Sequence, residues 1–205
     1  MDIQKKKPRV PQQRRSIKTK KLIIDAAMEL FSQKGFYATN SKEIAKKAGV
    51  ATGCFYSYFA DKKGVFREAL RMYLDRFNAI LRENMAMIDE EDVDGRVFLR
   101  GMITGILRAH DVFAGFHDEL IVMYYSDPEI RELSGKYDAR VVQSITRYMK
   151  RAEGRLRVSD PDTAAFVVYC AVCRVVDCIF LSKDEVYKEK VVDQLVDMVA
   201  TYLFL

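Results

Sequence analysis

Apolar residues recur at steps of three and four along most of the chain, the period that places them on one face of a helix. Leu22, Ile23, Ala26, Ala27, Leu30 and Phe31 make the first such stripe, and Gly35 is placed to end it. Asn40 followed three residues later by Glu43 has the spacing of a capping box, which opens a short second helix through Ala48. Gly49 then interrupts the pattern with a residue that tolerates the positive φ of a sharp turn. A third short helix is predicted up to Phe59, and a long pattern runs from 62 to 87 before the acidic break Asp89-Glu90-Glu91-Asp92. Further helices are predicted over 93–110, 116–125, 128–153, 161–182 and 185–204. Pro128 and Pro161 stand where first-turn prolines belong, and Gly154 where a helix stops. No stretch alternates with period two and no internal repeat is evident, so the expected fold is all-α.

Composition adds a division along the chain. The formal charge is +5, but residues 1–64 carry 15 Lys and Arg against 5 Asp and Glu, whereas 65–205 carry 19 against 24. Residues 1–15, with Lys5, Lys6, Lys7, Arg9, Arg14 and Arg15 among prolines and glutamines, are expected to be a disordered basic arm. The excess persists beyond the arm, and a cationic first third on an acidic body points to a polyanionic partner for that third alone. No apolar run follows the N-terminal charges as in a secretory signal, and the run from Ala164 to Cys173 is too short to span a bilayer. A cytoplasmic protein with reduced thiols is therefore expected. Of Cys54, Cys170, Cys173 and Cys178, the last three are read as small hydrophobic residues of a helix, since no second pair accompanies Cys170-x-x-Cys173 at zinc-site spacing.

The segment Gly49-Val50-Ala51-Thr52-Gly53-Cys54-Phe55-Tyr56-Ser57-Tyr58-Phe59 carries the most information. At 100° per residue, Phe55, Tyr56 and Phe59 fall on one side, and Gly53, Cys54, Ser57 and Tyr58 on the other. Rings can anchor such a helix while its small face approaches another surface closely. A short helix, a turn at Gly49 and this helix make a helix-turn-helix, whose second helix enters the major groove of DNA. Lys62 and Lys63 follow where a neighbouring phosphate strand would run.

Residues 17–64 resemble the DNA-binding domain of the tetracycline-repressor (TetR) family. The resemblance rests on Ile23, Ala26-Ala27, Leu30-Phe31, Lys34-Gly35-Phe36, Thr39, Ile44-Ala45, Ala48-Gly49-Val50, Gly53, Phe55-Tyr56, Tyr58-Phe59 and Lys62. It implies a DNA-binding domain over 16–64, with the helix-turn-helix at 40–59, and an effector-binding and dimerisation domain over 65–205. It also implies phosphate contacts from Thr39, Asn40 and Ser41 at the start of the second helix. Tyr56 would keep its ring in the core and pass its hydroxyl to a phosphate, and Lys62 would clamp the backbone on the far side. Such contacts position the protein and carry no sequence information themselves. Thr52, Cys54, Ser57 and Tyr58 are the candidates for reading bases, with Gly53 allowing close approach. The family often has Ser or Thr where this chain has Ala51, which predicts a helix starting one residue late and capped by Thr52.

For the remainder, the resemblance implies a homodimer through helices 161–182 and 185–204, a palindromic double-stranded DNA operator and a small apolar or aromatic effector. In the last helix Val191, Leu195, Met198 and Tyr202 form one stripe and Val192, Val196, Val199 and Leu203 another, one of which would face a partner. Met102, Ile106, Phe113, Phe116, Met123 and Tyr124 are candidates for an effector pocket. His110-Asp111 and His117-Asp118-Glu119 could in principle hold a metal, but Gly115 is expected to break the helix between them, no third ligand spacing is evident, and an exposed histidine beside acidic residues is ordinary. No cofactor is expected. An activator, or a redox- or metal-responsive regulator on the same scaffold, is the alternative to a repressor. The chain has no G-x-S-x-G, no H-E-x-x-H and no glycine-rich phosphate loop, which argues against an enzyme.

Overall fold

Helix follows helix in the computed structural model, which describes residues 14–86, 94–112, 114–151, 154, 156–181 and 184–204. The elements are α1 (Arg14–Ala38), α2 (Ser41–Lys47), α3 (Thr52–Tyr58), α4 (Lys62–Ala86), α5 (Gly95–Val112), α6 (Ala114–Ser126), α7 (Pro128–Arg151), α8 (Pro161–Leu181) and α9 (Glu185–Leu203). Among the described residues no strand forms, only one isolated bridge between Leu156 and Phe204. The all-α expectation holds. Most of the expected arm, residues 1–13, and the acidic break at 89–92 lie outside the described residues.

The chain divides into two compact units, one running to Leu74 and adding Phe113–Arg131, the other made of Asp75–Val112 and Glu132–Leu205. The first unit is thus wider than the segment 16–64, because α6 packs on α1. Ile23, Ile24, Ala26, Ala27, Met28 and Phe31 of α1 are buried, while Leu22, expected on that face, is 44% exposed. The stripe is rotated toward Ile24 and Met28. Gly35 takes φ 84°, which turns the chain out of helical geometry and folds Phe36 back. Phe66 of α4 then sits among Phe31, Phe36 and Phe116, with ring centroids 5.6, 5.5 and 5.1 Å away. This cluster ties α1, α4 and α6 together.

The helical run is divided between His110 and His117 as expected, since α5 ends at Val112 and α6 begins at Ala114, but Gly115 itself lies in the first turn of α6. A Cβ there would stand 2.6 Å from Cβ of Ser32 and 3.2 Å from its Cα. Glycine is needed because α1 and α6 approach too closely for a side chain. Gly115→Ala is accordingly expected to force the helices apart at a cost of about 1–3 kcal/mol, the usual range for overpacking. Thermal unfolding of the purified variant reads this directly.

In the second unit, α5, α8 and α9 enclose Leu99, Ile103, Val168, Val176, Ile179, Val192, Val196 and Val199. Asp127, Asp160 and Asp184 cap the helices that follow them by accepting backbone N–H groups. In the first two the next residue is a first-turn proline, a pairing that starts a helix cleanly. Arg96 and Arg100 of α5 pair with Asp197 and Asp193 of α9. Gly154 takes φ 94° after α7, and Arg157 then donates its backbone N–H to the Leu203 carbonyl at 2.9 Å. The two stripes of α9 separate differently from the expectation. Leu195 is buried with Val192, Val196, Val199 and Leu203, leaving Met198 and Tyr202 exposed and Val191 half-buried.

Candidate nucleic-acid interface

The short helices α2 and α3 are positioned from below. Ile44, Ala45 and Phe55 are fully buried and Phe59 nearly so, so each helix is pinned by its inner face. Asn40 accepts the N–H groups of Lys42 and Glu43, and Glu43 returns a bond from the Asn40 N–H, completing the capping box. Gly49 takes φ 69°, and Val50 donates to the Ala45 carbonyl at 3.0 Å, closing the turn. Helix α3 begins at Thr52, with Ala51 as its cap residue and no side-chain cap bond. The late start capped by Thr52 is therefore corrected: extended backbone at Ala51 suffices.

Outward from this base stand Thr52, Gly53 and Ser57, all exposed, with Cys54 half-buried beside them. Ser57 donates its hydroxyl to the Gly53 carbonyl at 3.1 Å, one turn back, which keeps the face shallow. A Cβ at Gly53 would meet nothing within 4 Å. Tyr56 departs from expectation. Its ring is 52% exposed and only edges onto Phe55, centroids 5.2 Å apart, so it projects with the small residues. Tyr58 turns aside from them, its hydroxyl hydrogen-bonded to Ser16 at 3.0 Å.

Two residues expected to touch phosphate have internal partners. Thr39 is 2% exposed and donates its hydroxyl to the Gly35 carbonyl at 2.8 Å. Lys62 places Nζ 2.6 Å from the Phe36 carbonyl and 2.8 Å from that of Thr39, over the Phe36 ring. A cation here satisfies carbonyls left open where α1 ends. Burial lowers the Lys62 pKa, with the Glu119 carboxylate acting in the opposite sense. Glu119 also accepts the Phe36 N–H at 2.7 Å. Both sides of the Phe36 backbone are thus held by charged side chains, a function for Lys62 and Glu119 that spacing alone did not reveal. Asn40 is exposed and Ser41 half-buried at the start of α2.

The other candidates disperse. His117 is 7% exposed, its Nδ1 2.7 Å from the Tyr73 hydroxyl, so it is a core histidine and not an exposed one. Glu119 is turned to Phe36, and the side chains of His110 and Asp111 lie outside the described residues. Among the described residues no three His, Cys, Asp or Glu side chains come together as metal ligands. Cys170 and Cys178 are exposed, contrary to their reading as apolar filler. Cys173 is half-buried, and burial pushes its thiol up to about 12.

Of the six effector-pocket candidates, Phe116 and Met123 fill the core of the first unit and Tyr124 edges onto Tyr125. Met102 and Ile106 belong to the second unit, and Phe113 lies outside the described residues. None of them lines the open groove of about 680 Å³ in the second unit, which is bordered by Arg157, Gln194, Asp197, Met198 and Tyr202.

A capped short helix, a glycine turn and a second helix pinned by two rings define a helix-turn-helix protein. Residues 23–69 match the family described as bacterial regulatory proteins, tetR family, and 96–203 match the tetracyclin repressor-like C-terminal domain. The chain belongs to the TetR family of DNA-binding transcriptional regulators. It is 44% identical over 62 residues to the HTH-type transcriptional regulator YuxN of Bacillus subtilis, covering 30% of this chain and 21% of that one. With the fatty acid metabolism regulator protein of Bacillus subtilis it shares 26% identity over 139 residues, 65% of this chain and 64% of that one. The chain thus spans less than two thirds of either relative. A transcriptional regulator from Saccharomonospora viridis, solved in complex with choline, has the same fold, with TM-score 0.71 at 18% identity over 92% of this chain and 99% of that one. Among the described residues no helix is long and apolar enough to cross a membrane.

Proposed function

We propose that this regulator is a homodimeric repressor that seats α3 in the major groove of a palindromic operator and leaves it when a small apolar or aromatic effector binds. The observation that carries the reading is the outward small face of α3, Thr52, Gly53 and Ser57, above the buried Phe55 and Phe59. A groove about 12 Å wide admits a helix most deeply where its side chains are short. Asn40 and Ser41 at the start of α2 and the projecting Tyr56 are the phosphate contacts of this arrangement, with Thr52, Cys54 and Ser57 at the bases. Thr39 and Lys62 support these residues from inside.

Dimerisation is supported by apolar side chains of α8 and α9 that the second unit leaves uncovered, among them Phe166, Val167, Met198 and Tyr202. Two copies joined there form a four-helix interface, and paired heads read half-sites about 34–36 Å apart. The choline complex and the fatty-acid regulator's name belong to those proteins; they support a small-molecule effector here as a class. Such an effector must favour the conformation with mis-spaced heads, since a ligand binding both states equally shifts nothing.

The test is a mobility shift on DNA upstream of the chain's own gene across several salt concentrations. Retardation that weakens steeply with salt is expected, and salt-independent binding contradicts a phosphate-led contact. Deleting the gene is expected to raise reporter output from that promoter; a fall makes the protein an activator. Carrying Phe166→Glu and Met198→Glu together, the chain is expected to sediment at half the mass and to lose at least about a hundredfold in operator affinity, since half-site binding forgoes the joint contact.

A further inference from the structure

The inner face of α7 is only partly apolar. Val141 is buried on it, and Val142 and Ile145 pack against the core of the second unit. Ser134 and Asp138, one turn apart, share that face. Ser134 is 7% exposed, and its hydroxyl has no hydrogen-bond partner among the described residues. A buried hydroxyl left in that state is unfavourable until something supplies a partner.

Asp138 is half-buried and accepts a hydrogen bond from the Tyr169 hydroxyl of α8 at 2.6 Å. A carboxylate offers about four acceptor positions, so most of its capacity stays open. Among the described residues no lysine or arginine acts on it, and burial raises its pKa while the Tyr169 hydrogen bond opposes that rise. One turn after Tyr169, the Cys173 thiol is pushed up to about 12, by burial first and also by the Asp177 and Asp138 carboxylates. Two acids, one from each helix, thus act on the place where α7 and α8 are joined, and the Asp138 charge has no compensating cation there.

We propose that Ser134 and Asp138, beside Tyr169 and Cys173 of α8, bind the protonated amine of an organic cation with an apolar body. The amine donates its N–H groups to the open positions of the Asp138 carboxylate and to the Ser134 hydroxyl. This rests on the small-molecule effector of the reading given above and adds its charge. A neutral or anionic ligand leaves a partly buried carboxylate uncompensated or opposed. A metal ion fits less well, since among the described residues no three ligating side chains converge.

The experiment measures the melting temperature of the full chain, without DNA, against phenethylamine and hexylamine and against their neutral counterparts phenethyl alcohol and hexanol. The amines are expected to raise it and the alcohols to leave it unchanged. Asp138→Asn keeps the shape and can still accept from Tyr169, but it drops the charge. It is expected to fold with an equal or higher melting temperature and to bind the amines at least about tenfold more weakly, the loss typical of a hydrogen bond to a charged group. Ser134→Ala is expected to weaken amine binding by a smaller factor with no loss of stability, because it removes an unsatisfied hydroxyl. Amines that fail to stabilise the chain, alcohols that stabilise it equally, or an Asp138→Asn variant that binds amines as tightly each overturn the proposal. Release of the duplex from upstream of the gene is read separately. Amines that bind through Asp138 yet leave that duplex retarded support the site and overturn only the effector reading.

Discussion

Gly53→Glu is expected to abolish operator binding while leaving the protein folded. A side chain at this position meets no atom within 4 Å, and Gly53 lies on a helix with no positive φ. Glycine is itself a poor helix residue, so the substitution is expected to be neutral or to add a few tenths of a kcal/mol to stability. The cost falls on the complex. A carboxylate on the face that approaches the duplex opposes phosphate charge and fills the space the groove needs. Like-charge juxtaposition at an interface costs several kcal/mol, and about 3 kcal/mol corresponds to roughly 150-fold in affinity. Retained melting temperature with lost retardation is the expected pair of results. Unchanged retardation would show that α3 does not enter DNA.

Phe66→Ala is expected to have the largest effect on stability. Its ring is fully buried and contacts those of Phe31, Phe36 and Phe116, which come from α1, the turn after Gly35, and α6. Truncating a buried phenylalanine costs about 3–5 kcal/mol, since transfer energy is lost and the cavity only partly collapses. In a chain of this size each kcal/mol moves the melting temperature by about 2–4 °C, so a drop of about 10 °C is expected. DNA binding should fall as well, because Phe36 carries the two backbone groups held by Lys62 and Glu119. Calorimetry of the variant checks the first effect, and retardation below its melting point checks the second. A shift under 2 °C would mean that the ring cluster does not hold this unit together.

Much of the candidate interface was legible in local chemistry. Asn40 and Glu43 form a cap by spacing alone, Gly49 takes the positive φ its position requires, and Phe55 and Phe59 are buried as the wheel places them. Expectation and geometry part where a polar side chain has a partner inside the protein. The family resemblance implies phosphate contacts for Thr39 and Lys62, whereas here their atoms close the end of α1. Tyr58 was assigned to the reading face, and Ser16, 42 residues away, draws it off. Nor could periodicity distinguish Gly115 as a helix breaker from Gly115 as a close-contact residue, since only the position of Ser32 decides.

By itself, then, the sequence determined the helical period, the capping and turning of α2 and α3, and the charge division of the chain. These depend on residues within a few positions of one another, where backbone geometry dictates who meets whom. Tertiary structure alone decided that α6 joins the first unit, that Lys62 and Glu119 grip the Phe36 backbone, and that Leu195 faces inward while Met198 faces out. Each of these outcomes is set by which helix happens to lie opposite. A pattern of apolar and polar positions specifies that a face will be covered, but it does not specify by what.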